Sequence, residues 1–318
     1  MKRLPAFLLA ATAAAILFSC TPKTGSTAKA EPAATAKPVT IATMIDSEGA
    51  ILGKMMVKLL ETKGIPVVDR TEFGTPEVLR KALESAEVDL VLDYTGSGQY
   101  YHEGNDPAIW SAPVKGYEMT KKLDAEKKDL HWLTPATANN TESLAVTRAF
   151  SKLTGVIDMP SFAAYVNKGG QVKLICSQAF ADNQLGLVGL EQAYGFKLKK
   201  DQLIILASGN TAEMLKALAE GISGVNVSLV YGTDGALDTM QLLVLDDPKH
   251  VPPVYLPTPV LRGAKLKEFP AIPEILKPLF DSLTLETLQS LNAEVAYKGR
   301  NAGDVAMEYL TKTGFASK

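Results

Sequence analysis

The spacing of apolar residues predicts a chain that alternates between short strands and amphipathic helices from residue 39 onward. The run Val39–Met44 is mostly apolar and rich in branched side chains, which is typical of a buried strand. Over 51–62, isoleucine, leucine and methionine recur at helical spacing, and Gly64 marks the end of that helix. The methionines Met55 and Met56 are predicted to face the core rather than a ligand.

A second strand is predicted at 66–68 and a third at 88–94, with a helix between them. Thr75 is predicted to cap this helix and Pro76 to occupy its first turn, and the helix is expected to run to about residue 86. The order strand, helix, strand, helix, strand predicts a parallel sheet with right-handed crossovers.

The same alternation continues towards the C-terminus. Helices, the second with Ser161 as its cap, are predicted at 114–130, 161–168, 187–194, 211–220, 284–296 and 302–311. Strands or extended segments are predicted at 131–133, 143–146, 172–176, 203–206, 225–231, 241–245 and 254–261. The expected fold class is therefore α/β with mostly parallel sheets.

The first 20 residues have the composition of an export signal. Two basic residues precede a mostly apolar run at 4–18, which is shorter than the roughly 20 residues of a comfortable membrane span. The run ends in Leu-Phe-Ser-Cys at 17–20, which resembles the lipobox of bacterial lipoproteins. This resemblance implies that residues 1–19 are a signal peptide and that Cys20 is lipidated and anchors an exported protein to a membrane. An ordinary secretory signal that ends near a cysteine is the alternative.

Composition indicates the size of the folded part and limits its partners. Residues 20–38 carry the anchored cysteine and then small or polar residues and proline, which predicts a disordered tether. About 280 of the 318 residues lie beyond the tether, which predicts two domains. The net charge is −2, and the basic residues are scattered, which argues against a nucleic-acid partner.

Residue types that carry catalysis do not form a recognisable set. A glycine-rich loop follows the third predicted strand at 94–98, but Tyr101 stands where a dinucleotide-binding fingerprint needs a third glycine. The three histidines lack metal-ligand spacing, and no Gly-x-Ser-x-Gly elbow occurs. Cys176, the one cysteine besides Cys20, is predicted to be a small buried apolar residue. These observations favour a binding protein over an enzyme and predict no cofactor and no metal site.

Five stretches carry a family resemblance. They are Ile-Asp-Ser-Glu-Gly-Ala-Ile-Leu-Gly at 45–53, Phe-Gly-Thr-Pro at 73–76 with Ala-Leu at 82–83, Asp-Tyr-Thr-Gly-Ser at 93–97, Asn-Asn-Thr-Glu-Ser-Leu-Ala-Val at 139–146, and Tyr-Gly-Thr-Asp-Gly at 231–235 followed by Leu-Val-Leu-Asp-Asp at 243–247. In this order they resemble the substrate-binding lipoproteins and periplasmic proteins of osmoprotectant ABC transporters, which capture glycine betaine, choline, carnitine and similar quaternary amines. The resemblance extends from about residue 40 to the C-terminus.

The resemblance implies a two-lobed, type II periplasmic-binding-protein fold. Residues 39–141 and 235–318 would form lobe 1, residues 142–234 would form lobe 2, and a ligand would bind between them. The implied function is that of an exported, membrane-anchored solute receptor that delivers a small cation of the choline and glycine betaine class to an ABC permease. Such a protein is not an enzyme.

The resemblance also implies a site in which tyrosine faces surround a trimethylammonium group and an arginine holds the carboxylate of betaine-type ligands. By position, the expected ligand-binding residues are Ser47, Glu48, Tyr94, Thr95, Ser97, Asn140, Glu142, Asn183, Tyr231, Thr233 and Asp234.

Three of the family positions differ in this chain. Glu142 and Leu215 stand where the family has tyrosines, and Asn183 stands where it has the arginine. The candidates for replacement ring faces are Tyr100, Tyr101, Tyr194 and Trp132. The changes at 142 and 183 make the cleft more negative, so choline or another cation without a carboxylate is expected to bind better than glycine betaine.

Two functions of other classes stay open. A sensory or adhesive lipoprotein could use the same scaffold with a changed ligand, and an exported hydrolase is a further alternative. A permease and an ATPase encoded beside this chain would favour the solute receptor. Turnover of any substrate would favour the hydrolase.

Replacing the lipobox cysteine tests the predicted anchor. Cys20→Ala removes the thiol that would be acylated, so it should release the protein from the membrane fraction or stall removal of the leader. Fractionation and the mass of the N-terminal peptide measure both. A variant that stays membrane-bound with a normally cleaved leader would contradict the lipobox interpretation.

Overall fold

The computed structural model describes residues 37–316 apart from Glu103 and Asp238. Cys20, the predicted signal peptide and most of the predicted tether lie outside these residues. Within them, ten strands form two five-stranded sheets. The strands are β1 (Val39–Met44), β2 (Val67–Gly74), β3 (Leu90–Tyr94), β4 (Leu130–Trp132), β5 (Glu142–Thr147), β6 (Leu174–Cys176), β7 (Leu203–Ile205), β8 (Val227–Tyr231), β9 (Leu242–Val244) and β10 (Pro257–Arg262).

Helices cover both sheets. They are α1 (Ser47–Thr62), α2 (Pro76–Glu84), α3 (Gly98–Tyr101), α4 (Pro113–Lys128), α5 (Arg148–Thr154), α6 (Met159–Asn167), α7 (Gln178–Asp182), α8 (Leu187–Tyr194), α9 (Thr211–Glu220), α10 (Gly263–Glu268), α11 (Ile272–Asp281), α12 (Leu285–Ala296) and α13 (Ala302–Lys312). In the described part of the chain, no helix is both long and apolar enough to cross a membrane.

Each sheet combines parallel and antiparallel pairs. In the first sheet, ordered β2-β1-β3-β10-β4, β1 runs parallel to β2 and β3, as the sequence predicts. β10 is antiparallel to both of its neighbours, β3 and β4. In the second sheet, ordered β7-β6-β8-β5-β9, β5 is likewise antiparallel to β8 and β9. The sheets are therefore mixed rather than mostly parallel, because β5 and β10, which enter from the opposite lobe, insert in the reverse direction.

Local capping explains where several helices begin. Asp46 caps α1, since its Oδ1 accepts a hydrogen bond from the backbone N of Gly49 at 2.7 Å. Thr75 occupies the cap position of α2 without a side-chain bond. Asp158 caps α6, and Ser161, the predicted cap, is the third helical residue and completes a capping box with Asp158. The prediction for Ser161 was therefore wrong by one turn.

Five helices were missed by the periodicity. Helices α3, α5, α7 and α10 span four, seven, five and six residues, which is too short to display a helical repeat. Helix α11 contains Pro278 in its interior. Because proline disfavours a helix interior, the sequence does not predict a helix there.

Each lobe has its own apolar core. In lobe 1, α1 packs its leucine and methionine side chains, including Met55 and Met56, against the first sheet and the C-terminal helices. In lobe 2, the core lies around β5, β6 and β8 and includes Cys176 and Leu215, both fully buried. Cys176 is thus a buried apolar residue, and burial raises the pKa of its thiol to about 12.

Three segments lie side by side between the lobes and are here called the crossing segments: the first (139–141) and the third (252–256) connect the two sheets, whereas the second (232–235) connects β8 to β9 within the second sheet. The backbone N of Gly232 donates to the carbonyl oxygen of Thr141 at 3.0 Å, and that of Asn140 donates to the carbonyl oxygen of Tyr255 at 2.9 Å. The sequence placed the return to lobe 1 at residue 235. However, β9 pairs with β5 in the second sheet, so the chain re-enters the first sheet only at β10.

Helix α12 of lobe 1 braces the second crossing segment. The side chain of Gln289 donates to the carbonyl oxygen of Gly232 at 2.8 Å. A Cβ atom on Gly235 would lie 2.3 Å from the backbone N of Ala293 and 2.4 Å from the carbonyl oxygen of Gln289. Only glycine permits this approach of backbone to helix.

A methyl group at Gly235 should therefore force α12 away from the crossing segment. We expect Gly235→Ala to lower the free energy of unfolding by about 1–3 kcal/mol or more, as overpacking against backbone does. Urea denaturation measures the change. Gly303→Ala is the control, because a Cβ there meets only the Oδ1 of Asn301, at 3.1 Å. Equal stability of the two variants would contradict the packing argument.

Candidate ligand-binding site

Three tyrosines and one glutamate converge between the lobes, and we call Tyr100, Tyr231, Tyr255 and Glu142 the cage. Tyr231 ends β8 and pairs directly with Glu142 at the start of β5, so both side chains project from the same face of the second sheet. Tyr100 lies on α3 of lobe 1, with 59% of its surface exposed, and Tyr255 lies on the third crossing segment. Burial first, and then the charge of Glu142, raises the pKa of the Tyr231 and Tyr255 hydroxyls.

Glu142 is the chemical centre of the cage. Its surface is 8% exposed, and its Oε2 has no hydrogen-bond partner among the described residues. Burial raises the pKa of this carboxyl to about 7. A buried carboxylate without a partner is unfavourable, and a bound cation would supply the missing charge.

The ring of Tyr255 is held by the glycine-rich loop. A Cβ atom on Gly96 would lie 2.6 Å from this ring, so the glycine is needed for the close contact. The amide of Gln99 donates to the Tyr255 hydroxyl at 2.7 Å. The glycines at 94–98 therefore permit packing of an aromatic ring.

A second group of predicted residues lies in a buried network, here called the Glu48 network. Tyr94 donates to Glu48 Oε1 at 2.8 Å, and Asn140 donates to the same oxygen at 3.4 Å. Asn292 of α12 donates to Glu48 Oε2 at 2.7 Å, and Thr233 donates to Asn140 Oδ1 at 2.8 Å. Burial raises the pKa of Glu48 to about 7 against the hydrogen bonds that favour its ionised form.

This network changes the expected place of Tyr94. The residue is 7% exposed and packs in an apolar cluster of lobe 1, and its hydroxyl is bonded to Glu48. Tyr94 and Glu48 are thus bonded to each other, Tyr255 of the cage packs against the same apolar cluster, and the predicted contact of Tyr94 and Glu48 with ligand stays a prediction.

Two of the remaining predicted residues, Thr95 and Asp234, hydrogen-bond to backbone atoms near the cage. Thr95 donates to the carbonyl oxygen of Val254 at 2.8 Å, and Ser97 is buried beside Asp93. Asp234 accepts from the backbone N of Tyr231 at 2.8 Å, and burial raises the pKa of its carboxyl to about 6. Ser47 is the first residue of α1. Asn183 follows α7 in lobe 2, and its amide lies 3.2 Å from the Tyr100 hydroxyl.

Among the candidate replacement rings, Tyr100 is the one that reaches the cage. The guanidinium carbon of Arg80 lies 4.1 Å from the ring centre of Tyr101, and the Tyr101 hydroxyl donates to Asp93. Trp132 is buried and donates to Asp124 at 2.6 Å. Tyr194 donates to Asp247 and caps the loop that leaves β9.

Tyr255 and Asn292 were missed in the sequence. Tyr255 follows Pro252, Pro253 and Val254 in a stretch that predicts only an extended segment. Its position where the chain re-enters lobe 1 is the sequence signal that would identify Tyr255 as a site residue. Asn292 lies inside an ordinary amphipathic helix and carries no such signal.

A pocket of about 370 Å³ lies beside the cage, between residues 139–143 and 244–254. Glu142 lines it, whereas none of the three cage tyrosines does. For the cation that the sequence predicts, the cage is the better candidate site, because ring faces attract cations. In the described residues, no group of three or more metal-ligating side chains is close enough to hold an ion.

Comparison with known proteins agrees with this geometry. Residues 37–312 match the family described as the substrate binding domain of ABC-type glycine betaine transport system. The chain is similar to the glycine betaine-binding protein YehZ of Escherichia coli strain K12, with 42% identity over 284 residues, which are 89% of this chain and 93% of the relative.

Solved structures are similar over nearly the same length. Apo YehZ from Escherichia coli has a TM-score of 0.72 and 42% identity over 88% of this chain and 100% of that chain. A glycine betaine/carnitine/choline ABC transporter structure has a TM-score of 0.73 at 22% identity, over 87% of this chain and 99% of that chain. The second likeness concerns the fold alone. Together these structures confirm the predicted two-lobed binding-protein fold.

The raised pKa of Glu142 has a consequence for stability without ligand. Its carboxyl titrates near 4.5 when unfolded and near 7 when folded, so the native state holds the proton more tightly. The bound proton stabilises the native state by on the order of 3 kcal/mol below pH 4.5, and this stabilisation is lost as the pH rises through 7. Glu142→Gln should remove this pH dependence. The measurement is the difference in unfolding free energy between variant and wild type, which should therefore change between pH 5 and pH 8.

The control is Glu118→Gln, which changes an exposed carboxylate on α4. Its difference from the wild type should stay flat across the same range. A flat difference for Glu142→Gln as well would show that Glu142 is not a buried, unpaired carboxyl.

Proposed function

We propose, on the premise that this chain belongs to the family of substrate-binding domains of ABC-type glycine betaine transport systems, that its cage captures a small organic cation without a carboxylate. Choline is the simplest member of that class. The cation would lie against the faces of Tyr100, Tyr231 and Tyr255, with its charge opposite Glu142. This proposal concerns the ligand.

The wider role comes from the family itself. The chain is an extracytoplasmic solute-binding protein of an ABC importer for osmolytes, and it is not an enzyme. The solute receptor predicted from the sequence is thereby confirmed.

The unpartnered Oε2 of Glu142 is the observation that carries the ligand proposal. Each aromatic face contributes about 0.5–2 kcal/mol to binding of a cation, depending on how far the cation is desolvated. The carboxylate adds more, because a cation repays the cost of a charge that the fold has already buried. A ligand carboxylate at the same place would add a second negative charge.

A zwitterion such as glycine betaine is the second candidate, since the Escherichia coli relative at 42% identity is named as a glycine betaine-binding protein. Its carboxylate could be accepted beside Glu142 only when Glu142 is protonated and donates a hydrogen bond. A pKa of about 7 makes this form accessible near neutral pH. The two ligands therefore demand opposite protonation states of one residue.

Membrane anchoring belongs to the same proposal. Acylation of Cys20, followed by the tether at 20–38, would hold the protein beside its permease after export. A sensory or adhesive lipoprotein would carry the same anchor, so uptake of labelled choline by cells that lack the protein separates these roles. Unchanged uptake would favour the sensory or adhesive alternative.

The pH dependence of affinity tests the ligand proposal. Choline requires ionised Glu142, so its dissociation constant should rise as the pH falls below 7, by up to about tenfold per pH unit. Glycine betaine requires protonated Glu142, so its dissociation constant should fall over the same range. Titration calorimetry at pH 5.5, 7 and 8.5 measures both, and at pH 8.5 choline should bind more tightly.

Glu142→Gln should abolish the pH dependence for both ligands and weaken choline relative to glycine betaine. Glu118→Gln, on the exposed face of α4, should leave all values unchanged. Tight glycine betaine binding at pH 8.5 by the wild type, or choline binding that ignores the loss of Glu142, would refute the proposal.

A further inference from the structure

One hydrogen bond joins the two lobes at the open edge of the cage. The Nδ2 of Asn183, just after α7 in lobe 2, lies 3.2 Å from the hydroxyl of Tyr100, on α3 in lobe 1. The two residues are 83 positions apart in the chain. Their contact exists only when the lobes are together.

Asn183 is oriented before it makes this contact. Its Oδ1 accepts a hydrogen bond from the backbone N of Leu185 at 2.9 Å, and its carbonyl oxygen accepts from the backbone N of Gly186 at 3.0 Å. Side chains of asparagine commonly close such turns on their own backbone. Since the oxygen is occupied by the turn, the amide nitrogen is the atom presented to the other lobe.

Tyr100 lies beside Tyr255 on the lobe 1 side. Gln99 donates to the hydroxyl of Tyr255, and the side chain of Tyr255 lies close to the Tyr100 hydroxyl. Asn183 adds a bond to the same hydroxyl from lobe 2. The ring of Tyr100 is therefore positioned by both lobes at once.

The short helix that carries Tyr100 is itself anchored. The next residue, Tyr101, stacks under Arg80 and donates to Asp93 at 2.9 Å. Arg80 forms a two-bond ion pair with the fully buried Asp124, at 2.6 and 2.7 Å. Helix α3 is thus fixed to lobe 1, and the bond from lobe 2 is the one that separation of the lobes would break.

We propose that Asn183 is a positioning residue that clasps Tyr100 over the cage and so slows release of a bound cation. It acts through Tyr100, not through direct contact with the ligand. This inference rests on the proposed function in that Tyr100 is a wall of the ligand site. The bond can form with or without a ligand and must break before a bound cation leaves, so its loss should act mainly on dissociation.

Stopped-flow kinetics with choline as the probe tests the clasp. Asn183→Ser keeps an oxygen that can close the turn but is too short to reach Tyr100. Tyr100→Phe keeps the ring and removes the hydroxyl. Choline should dissociate from each variant roughly two- to tenfold faster than from the wild type, as expected for loss of one exposed hydrogen bond. The association rate constant should stay within about twofold of the wild-type value.

The double variant distinguishes a clasp from two independent defects. If the residues act through their mutual bond, Asn183→Ser combined with Tyr100→Phe should dissociate no faster than the more affected single variant. Asn210→Ser is the matched control, because Asn210 closes a similar turn, on the backbone N of Ala212, elsewhere in lobe 2. It should bind and release choline like the wild type.

Multiplicative effects in the double variant, or an unchanged dissociation rate in Asn183→Ser, would overturn the clasp. Small-angle scattering without ligand separates this failure from failure of the proposed ligand. Loss of the clasp should enlarge the radius of gyration equally in both single variants. If the wild type binds no choline but both variants show this increase, the proposed ligand is refuted and the clasp is supported. If neither variant shows the increase, the clasp is overturned.

Discussion

The carboxylate of Glu48 joins the parts of the chain that must stay aligned for an interlobe cleft to exist. It receives hydrogen bonds from β3 through Tyr94, from the first crossing segment through Asn140 and from α12 through Asn292. Thr233 of the second crossing segment completes the network through Asn140. Loss of one member would leave buried polar atoms without partners, which costs more than the bond itself contributes. The cage lies just beyond this network and depends on its geometry.

Two glutamates with the same raised pKa have different surroundings. Glu48 is surrounded by donors that hold its oxygens, so its charge serves the architecture. Glu142 has an oxygen without a partner and three tyrosine rings within electrostatic range, so its charge is available to a ligand. Burial raises the pKa of both carboxyls, and the hydrogen-bond partners determine whether each carboxylate is structural or available to a ligand. Electrostatic preorganisation of this kind favours a cation over a neutral or anionic solute of similar size.

The cage is built from both lobes. The buried pair of Arg80 and Asp124 fixes α3 in lobe 1, and the packing of Tyr255 on Gly96 fixes the neighbouring ring. Tyr231 and Glu142 belong to the second sheet, so any displacement of lobe 2 would carry them with it. A ligand that contacts both sets therefore stabilises the arrangement in which the lobes are together, because its affinity for that arrangement is greater.

Elements whose signals are local follow from the amino-acid sequence alone. Helices α8 and α9 have the bounds that their apolar spacing predicts, and β1, β2 and β3 pair in the parallel manner that their order implies. The family resemblance also predicts Glu142 as a cleft residue, since flanking motifs on both sides define its position. The tertiary structure decided the reversal of β5 and β10, the inclusion of β9 in the second sheet, and the meeting of Glu48 with Asn292 across 244 residues. It also brought Tyr255 to Tyr100, because such contacts depend on how the lobes fold back on each other and leave no periodic trace in the chain.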